Sequence, residues 1–271
     1  MSITLISNEK IAETSSRGNQ EKWLDNGKWY KVDQFGYEAL AEVFTSLLLE
    51  HSNIEKDTPF TFVRYNMEQV VVHGRQRTAC SSPNFLPQNT SIITISQLFK
   101  QHLGSSLSSK LTSLSSDKQR MLYLAEATAD ITGLNLFPQY LTLLFEVDSL
   151  VVNDDRHLNN IAVLAHDTSF DYCPIFDQGA ALLSNTRYCP MEIEPRSLIN
   201  SQIARPFNTT FNRQVITMRT QFGKQLCLPT FTKKYLQELV EPLLAYYPAR
   251  DRSYIMDRVV ATICLRQPHL H

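Results

Sequence analysis

The sequence has no apolar run long enough to cross a membrane. Its longest candidate, residues 141–152, is interrupted by Glu146 and Asp148, whereas a spanning helix needs about 18 apolar residues in a row. The first ten residues also lack the basic region and the long apolar region of a secretory signal. We therefore expect a soluble, cytoplasmic protein with no membrane partner, and we leave open its secretion or translocation into a host.

An excess of charge of either sign is also absent. The 26 Lys and Arg residues and the 27 Asp and Glu residues leave a formal net charge of −1. A broad basic face of the kind that holds nucleic acid is therefore not expected. Hydrophobic residues make up 43% and charged residues 20% of the chain, which is typical of a globular protein and not of a disordered one.

Paired cysteines are missing as well. The five cysteines are scattered along the chain, and none belongs to a C-x-x-C pair. This spacing argues against a disulfide framework and against a structural zinc site. We expect ordinary, mostly buried thiols in a reducing compartment.

The first part of the chain carries strand signals with one helix among them. Residues 23–32 predict a hairpin around an Asn-Gly turn, and residues 37–50 repeat apolar side chains at helical spacing. Two more strands are predicted at residues 60–65 and 69–73. Residues 74–116, which contain prolines and many serines, predict a surface connection.

The remainder of the chain is predicted to be mainly helical. The strongest helix signals begin at Asp117 and at Phe137, and two short strands are expected at 161–164 and 172–176. Further helices are expected in the last part of the chain, at residues 232–246 and 252–265. The sequence therefore predicts an α+β protein of two lobes: a small β-rich lobe with its connection over residues 1–100, and a larger helical lobe over residues 101–271.

A polar loop interrupts this apolar helical region. Seven of the eight residues 153–160 (NDDRHLNN) are polar or charged, although they lie between an apolar helix and an apolar strand. Within the loop, Asp155 and Asn160 have the spacing D-x-x-x-x-N. In phosphoryl transfer, a carboxylate at such a position accepts the proton of the attacking hydroxyl, and the asparagine supplies an oxygen to Mg²⁺. The plainer alternative is an Asp- and Asn-rich turn.

A second carboxylate is expected to join this loop. Asp177 begins an Asp-x-Gly motif at the end of a predicted strand, and a hairpin would return it beside Asn160. Carboxylate oxygens are the ligands that a hard cation prefers. Taken alone, the motif also fits an ordinary turn.

A lysine and two glutamates form the third element of the pattern. Lys31 lies in the middle of a predicted strand, and Glu38 and Glu42 share one face of the following helix. In kinase-like folds, a strand lysine paired with a helix glutamate holds the phosphates of ATP. We favour Glu38 as the partner, and the alternative is that all three are solvated. Residues 15–20, with one glycine, are a candidate for a phosphate loop, and an ordinary loop is the alternative.

At these residues the sequence resembles the HipA-like serine/threonine protein kinases, in particular the compact members of the CtkA type. The resemblance is carried by the segments YKVD (30–33), GYEALAE (36–42), CSSPNFL (80–86), DRHLNN (155–160) and IFDQGA (175–180).

The resemblance implies a role for each candidate residue. It makes Asp155 the catalytic base, Asn160 and Asp177 the magnesium ligands, and Lys31, oriented by Glu38, the contact to the nucleotide phosphates. His157 would shape the loop at the nucleotide. The resemblance also implies a phosphate loop at Arg17 and Gly18 and two autophosphorylation sites at Ser15 and Ser16. It places the hinge that meets adenine at Arg64, Tyr65 and Met67.

The implied function is an ATP- and Mg²⁺-dependent protein kinase that transfers the γ-phosphate to a protein hydroxyl and phosphorylates itself. The expected partners are a protein substrate and an antitoxin or regulatory protein encoded nearby. Two alternatives stay open: a kinase-shaped nucleotide-binding module with little activity, and a kinase of small molecules or lipids.

Overall fold

The computed structural model describes residues 3–5, 21–104 and 106–270. It shows an α+β protein with a five-stranded sheet in the first part of the chain and mostly helices in the rest. This fold class is the one that the sequence predicts, while the division of the chain into lobes near residue 100 stays a prediction.

Five strands form the first sheet. The strands are β1 (Ile3–Leu5), β2 (Lys22–Asp25), β3 (Lys28–Val32), β4 (Asn66–Val72) and β5 (Arg75–Pro83). Their order in the sheet is β1-β4-β5-β3-β2. Strand β1 runs parallel to β4, and the other neighbours are antiparallel.

The predicted hairpin is confirmed as β2 and β3. Its turn residues Asn26 and Gly27 both have positive φ, 48° and 75°, as a two-residue hairpin turn requires. Across the hairpin, Trp23 pairs with Tyr30, and their rings stack with centroids 5.6 Å apart. The hairpin thus buries one aromatic face, and this fixes which residues of β3 point toward the other side of the sheet.

The predicted helix at residues 37–50 is confirmed as α1 (Glu38–Leu49). Eleven of its twelve side chains are buried, because the helix packs against the first sheet on one side and against the helical part on the other. A short helix, α2 (Ile54–Asp57), follows it.

Two expectations for the following stretch are wrong. Residues 60–65 do not form a strand of the sheet, and Phe62 only makes an isolated parallel bridge with Ile175. Residues 74–116 are not a surface connection, since they begin with β5, the central strand of the sheet. The sequence does not predict this strand because its buried half consists of small residues, Ala79 to Ser82. Hydrogen bonding to a neighbouring strand on each side, and not an apolar side-chain pattern, places β5 in the sheet.

The helical part is built around one apolar helix. This helix, α6 (Phe137–Val151), has nearly every side chain buried and packs against its neighbours α5 (Asp117–Thr132), α8 (Phe211–Phe222) and α10 (Ala249–Arg266). The helices are α3 (Ile95–Leu103), α4 (Leu107–Ser113), α5 (Asp117–Thr132), α6 (Phe137–Val151), α7 (Pro195–Ser201), α8 (Phe211–Phe222), α9 (Lys233–Leu244) and α10 (Ala249–Arg266).

A second, three-stranded sheet in the order β6-β7-β8 flanks α6. Its strands are β6 (Ser91–Thr94), β7 (Ala162–Ala165) and β8 (Phe170–Tyr172). The helices predicted from Asp117, from Phe137 and in the last part of the chain are therefore confirmed, and the two short strands are present with shifted ends. None of the helices in the described ranges combines the length and the apolarity that a membrane span demands.

Candidate active site

The polar loop of residues 153–160 begins where α6 ends. Val152 adopts a left-handed backbone with φ of 55° and stops the helix. The next residue, Asn153, is buried and donates from its side chain to Asp148 Oδ1 over 2.9 Å. The loop is therefore anchored to the helix at its first residue, so that the residues after it start from a fixed point.

Arg156 ties this loop to the strand end that carries Asp177. Its side chain is 1% exposed and pairs with the equally buried Asp148 through Nε (2.9 Å) and Nη2 (3.0 Å). The same guanidinium donates to the main-chain oxygens of Asn160 (2.9 Å), Phe176 (3.0 Å) and Asp177 (3.4 Å). A guanidinium has five N–H donors, and here two of them bond to Asp148 in α6 and three to main-chain oxygens of the two loops.

Asp155 lies on the accessible side of this arrangement. Its side chain is 58% exposed, and the carboxylate lies 3.8 Å from His157 Nε2. Burial of its surroundings raises the pKa of Asp155, the nearby imidazole of His157 opposes this, and the negative charge of Asp177 adds to it. A carboxylate with a raised pKa that solvent can reach is suited to accept a proton.

Asn160 is oriented by its own loop. Its side-chain nitrogen donates to the main-chain oxygen of Asp155 over 2.8 Å. Because the nitrogen is used in this way, the side-chain oxygen is the atom that Asn160 can offer to a cation.

Asp177 is held in a strained backbone conformation next to two lysines. Its φ is 67°, a region that residues other than glycine rarely adopt, and its Oδ1 lies 2.8 Å from Lys31 Nζ. Burial disfavours the charge of this carboxylate, but Lys31 and Lys22 outweigh burial and lower the pKa of Asp177. The side chain is therefore an anion at neutral pH.

Lys31 is the other end of this contact. Besides Asp177, its ammonium bonds to Glu42 Oε1 and lies 5.4 Å from the ring centroid of Tyr65. Burial works against its charge, yet the carboxylates of Asp177 and Glu42 raise the pKa of Lys31 well above the usual value. A permanent cation thus lies between the sheet and the polar loops.

The expectation that Glu38 is the partner of Lys31 is wrong, because the partner is Glu42. Glu38 is the first residue of α1, and its carboxylate folds back to accept the main-chain N–H groups of residues 34–36 at 2.7–3.3 Å. Glu42, one turn later, faces the sheet and also accepts the N–H of Gln178 over 2.8 Å. Glu38 therefore holds the turn that precedes α1, and Glu42 links the sheet, the helix and the Asp177 strand end.

The residues of the expected hinge, Arg64, Tyr65 and Met67, lie just before and within β4, and their role at adenine stays a prediction. Arg64 forms ion pairs with two glutamates at the surface, Tyr65 is buried beside Lys31, and Met67 pairs with Cys80 inside the sheet. The chain passes from the first sheet to the second one after β5.

That passage is fixed at Asn84. The Asn84 N–H donates to Gly27 O over 2.8 Å, and its side chain accepts from the indole of Trp29 over 3.2 Å. Phe85 then packs against Phe176, with ring centroids 5.9 Å apart. The true connection between the sheets therefore lies close to the residue that precedes Asp177.

Sequence reasoning missed Lys22, which lies opposite Lys31 across the hairpin. Burial lowers the pKa of Lys22, Asp177 opposes this, and the charge of Lys31 adds to it. The signal was available, because a two-residue turn at Asn26-Gly27 fixes the register that pairs the two lysines.

Four predicted residues, Ser15, Ser16, Arg17 and Gly18, lie outside the described residues. In the described part, His157 Nδ1 is buried without a hydrogen-bond partner. No group of three His, Cys, Asp or Glu side chains within the described ranges could hold a metal ion. The predicted magnesium ligands form a different kind of set, one carboxylate and one amide oxygen, and their role stays a prediction.

Comparison with solved structures shows a kinase-like fold. The chain is similar to the Helicobacter pylori proinflammatory kinase CtkA, with a TM-score of 0.58 and 10% identity over 93% of this chain and 89% of that chain. It is also similar to HipA in the complex of the Shewanella oneidensis MR-1 toxin–antitoxin proteins HipA and HipB with operator DNA. In that comparison the TM-score is 0.51, the identity is 13%, and the match covers 94% of this chain but 66% of that chain.

No protein-family model and no curated protein sequence matches the chain. At these low identities the structural likeness establishes the fold alone. The resemblance to HipA and CtkA that the sequence motifs suggest is confirmed as a similarity of structure.

Proposed function

We propose that this protein is an ATP- and Mg²⁺-dependent serine/threonine protein kinase of the HipA-like type. The observation that carries the proposal is the position of Lys31, whose ammonium bonds to both Glu42 and Asp177. A strand lysine, a helix glutamate and a strand-end aspartate meet in this way in kinases that are competent for transfer.

The side chains present fit a magnesium–nucleotide complex. Asp177 is an anion with hard oxygen donors, and Asn160 offers its amide oxygen from a loop that Arg156 ties to Asp177. Lys31 and Lys22 place two cations beside these oxygens, where phosphate groups would be held. When bound, Mg²⁺ would supply charge stabilisation to the transferred phosphoryl group.

The remaining steps belong to residues of this chain. Asp155 would orient the acceptor hydroxyl and accept its proton on the exposed carboxylate, with His157 beside it. Lys31 would stabilise charge that develops on the phosphate oxygens. The main chain near Asn84 is our revised candidate for the hinge that meets adenine, since the chain crosses between the two sheets there.

The test is transfer of radiolabelled γ-phosphate by the purified chain, followed by intact-mass measurement. We expect Asp155→Ala and Asp177→Ala to abolish the transfer and Asn160→Ala to weaken it at limiting Mg²⁺. The matched controls are Asp154→Ala and Asn159→Ala, which remove the same functional groups from neighbouring positions of the loop. Full transfer by Asp155→Ala would mean that the assigned roles are wrong.

The acceptors in this assay separate the alternatives. We expect label on the chain itself, with Ser15 and Ser16 as the proposed sites, and on casein as a general protein acceptor. Label only on a small alcohol or on phosphatidylinositol vesicles would support a small-molecule or lipid kinase. Nucleotide binding without transfer to any acceptor would support a binding module. A protein substrate and an antitoxin-like partner are the partners that we propose.

A further inference from the structure

The segment after Asp177 has a backbone conformation that needs outside support. Leu182 and Leu183 are buried, and both adopt the left-handed region, with φ of 58° and 59°. Leucine enters this region only against steric repulsion from its Cβ atom. Two such residues in succession persist only when the surrounding structure holds them.

Two hydrogen bonds hold this segment, residues 181–190, near the polar loop. Leu182 N–H donates to Val151 O over 2.7 Å, at the end of α6 from which the loop departs. Ser184 Oγ donates to Gly179 O over 2.5 Å, two residues after Asp177. Because only three residues separate this segment from Asp177, a shift of the segment would also displace Asp177.

The side chain of Arg258 in α10 makes three hydrogen bonds to this segment. Its Nη1 donates to Leu183 O (3.2 Å) and Cys189 O (2.7 Å), and its Nη2 donates to Pro190 O (2.5 Å). Tyr37, at the start of α1, adds a bond from its hydroxyl to Leu182 O over 2.6 Å. The segment is therefore clamped between the first sheet's helix and the last helix of the chain.

The polar contacts of the buried Arg258 are with this segment and with Tyr37, which also bonds to it. Arg258 is 1% exposed, and no carboxylate in the described ranges lies within ion-pair distance of its guanidinium. A buried cation without a carboxylate is unfavourable. Its main-chain acceptors, three carbonyl oxygens, all belong to residues 181–190.

We propose that Arg258 is a positioning residue: it fixes residues 181–190 in their strained conformation and thereby keeps Asp177 aligned with Lys31, Glu42 and the loop of residues 153–160. This inference rests on the proposed kinase function for its catalytic consequence. Its structural part, the restraint of residues 181–190, stands independently of any activity.

Arg266 provides a matched control on the same helix. It is also buried, at 7% exposure, and it bonds to Ser149 and Asn212 without reaching residues 181–190. Lysine in place of either arginine keeps the charge and loses the planar fork that binds several acceptors at once. Arg258→Lys and Arg266→Lys thus remove comparable hydrogen bonds, but only those of Arg258 support residues 181–190.

The experiment compares hydrogen exchange, by mass spectrometry, in the wild-type chain and these two variants. We expect Arg258→Lys to speed exchange at least about tenfold in peptides covering residues 181–190 and Arg266→Lys to change it by less than about twofold. Tyr37→Phe, which conserves volume, is expected to speed it about fivefold and serves as the readout if Arg258→Lys does not fold.

A second measurement tests the link to Asp177. The Mg²⁺ concentration for half-maximal phosphate transfer is expected to rise about tenfold in Arg258→Lys and to stay unchanged in Arg266→Lys, below the unfolding temperature of both. A purely structural role would lower the unfolding temperature without moving this concentration.

Unchanged exchange over residues 181–190 in Arg258→Lys and Tyr37→Phe, or an equal increase in Arg266→Lys, would overturn the proposal. Faster exchange with an unchanged Mg²⁺ dependence would overturn its catalytic part. If the wild-type chain transfers no phosphate at all, the proposed function fails, and the exchange measurement alone decides the role of Arg258.

Discussion

Replacing Arg156 with methionine tests how the two polar loops are held together. The substitution removes five hydrogen bonds and leaves Asp148 buried without its counter-ion. Loss of one partner of a buried ion pair costs about 3–5 kcal/mol of unfolding free energy. Burial already raises the pKa of Asp148, and Arg156 opposes that shift, so the variant carboxyl is expected to take up a proton.

Phosphate transfer should fall further than stability alone explains. Without the guanidinium, the main-chain oxygens of Asn160 and Asp177 lose their shared donor, and a displacement of about 1 Å at a reacting group costs on the order of 100-fold in rate. The assay combines urea unfolding with γ-phosphate transfer at a temperature where the variant stays folded.

A double variant, Asp148→Asn with Arg156→Met, separates the two effects. It removes the uncompensated charge, so we expect it to recover about half of the lost unfolding free energy without recovering transfer. Arg64→Met is the control, because its ion pairs with two glutamates lie at the surface and contribute about 0–1 kcal/mol. If Arg156→Met unfolds like the wild type, or if the double variant transfers phosphate normally, the reasoning is refuted.

Three further predictions concern single side chains. Glu42→Gln should reduce transfer at least about tenfold, because Glu42 bonds to Lys31 and to the N–H of Gln178. Glu38→Gln should chiefly lower the urea midpoint, because the Glu38 carboxylate accepts main-chain N–H groups before α1; equal effects of the two variants on transfer would contradict our assignment. Lys22→Met should raise the KM for ATP about tenfold relative to Lys28→Met, at the exposed end of the hairpin; an unchanged KM would exclude Lys22 from the nucleotide site. Burial, and to a smaller extent the charge of Asp155, raises the pKa of Asp154 from 3.8 to about 6. The neutral carboxyl of Asp154 therefore contributes to the unfolding free energy below pH 3.8, and this contribution is lost as the pH rises through 6. Asp154→Asn should therefore stabilise the chain more at about pH 7.5 than at about pH 5 in urea unfolding, and a pH-independent gain would count against this shift.

Local chemistry explains which elements the sequence predicts well. The Asn-Gly turn dictates the first hairpin through its positive φ angles, and the apolar spacing of α1 and α6 dictates buried helices. The polar loop stands out because no apolar environment accounts for residues 153–160. Patterns of this kind depend only on neighbours in the chain.

The errors concern partners that are distant in the chain. Strand β5 has few apolar side chains, and two neighbouring strands decide that it lies at the centre of the sheet. Glu38 and Glu42 share a helical face, so spacing alone does not choose between them. The choice follows from where α1 begins, which turns Glu38 back onto its own N-terminus and Glu42 toward Lys31.

The sequence by itself determined the kinds of groups in the candidate site and the elements that carry them, because residue type and periodicity are properties of the chain. Only the tertiary structure decided the contacts: that Arg156 joins two loops, that Lys22 lies beside Lys31, and that Arg258 supports residues 181–190. Burial and long-range hydrogen bonds set these contacts, and neither quantity exists until the helices and sheets have packed together.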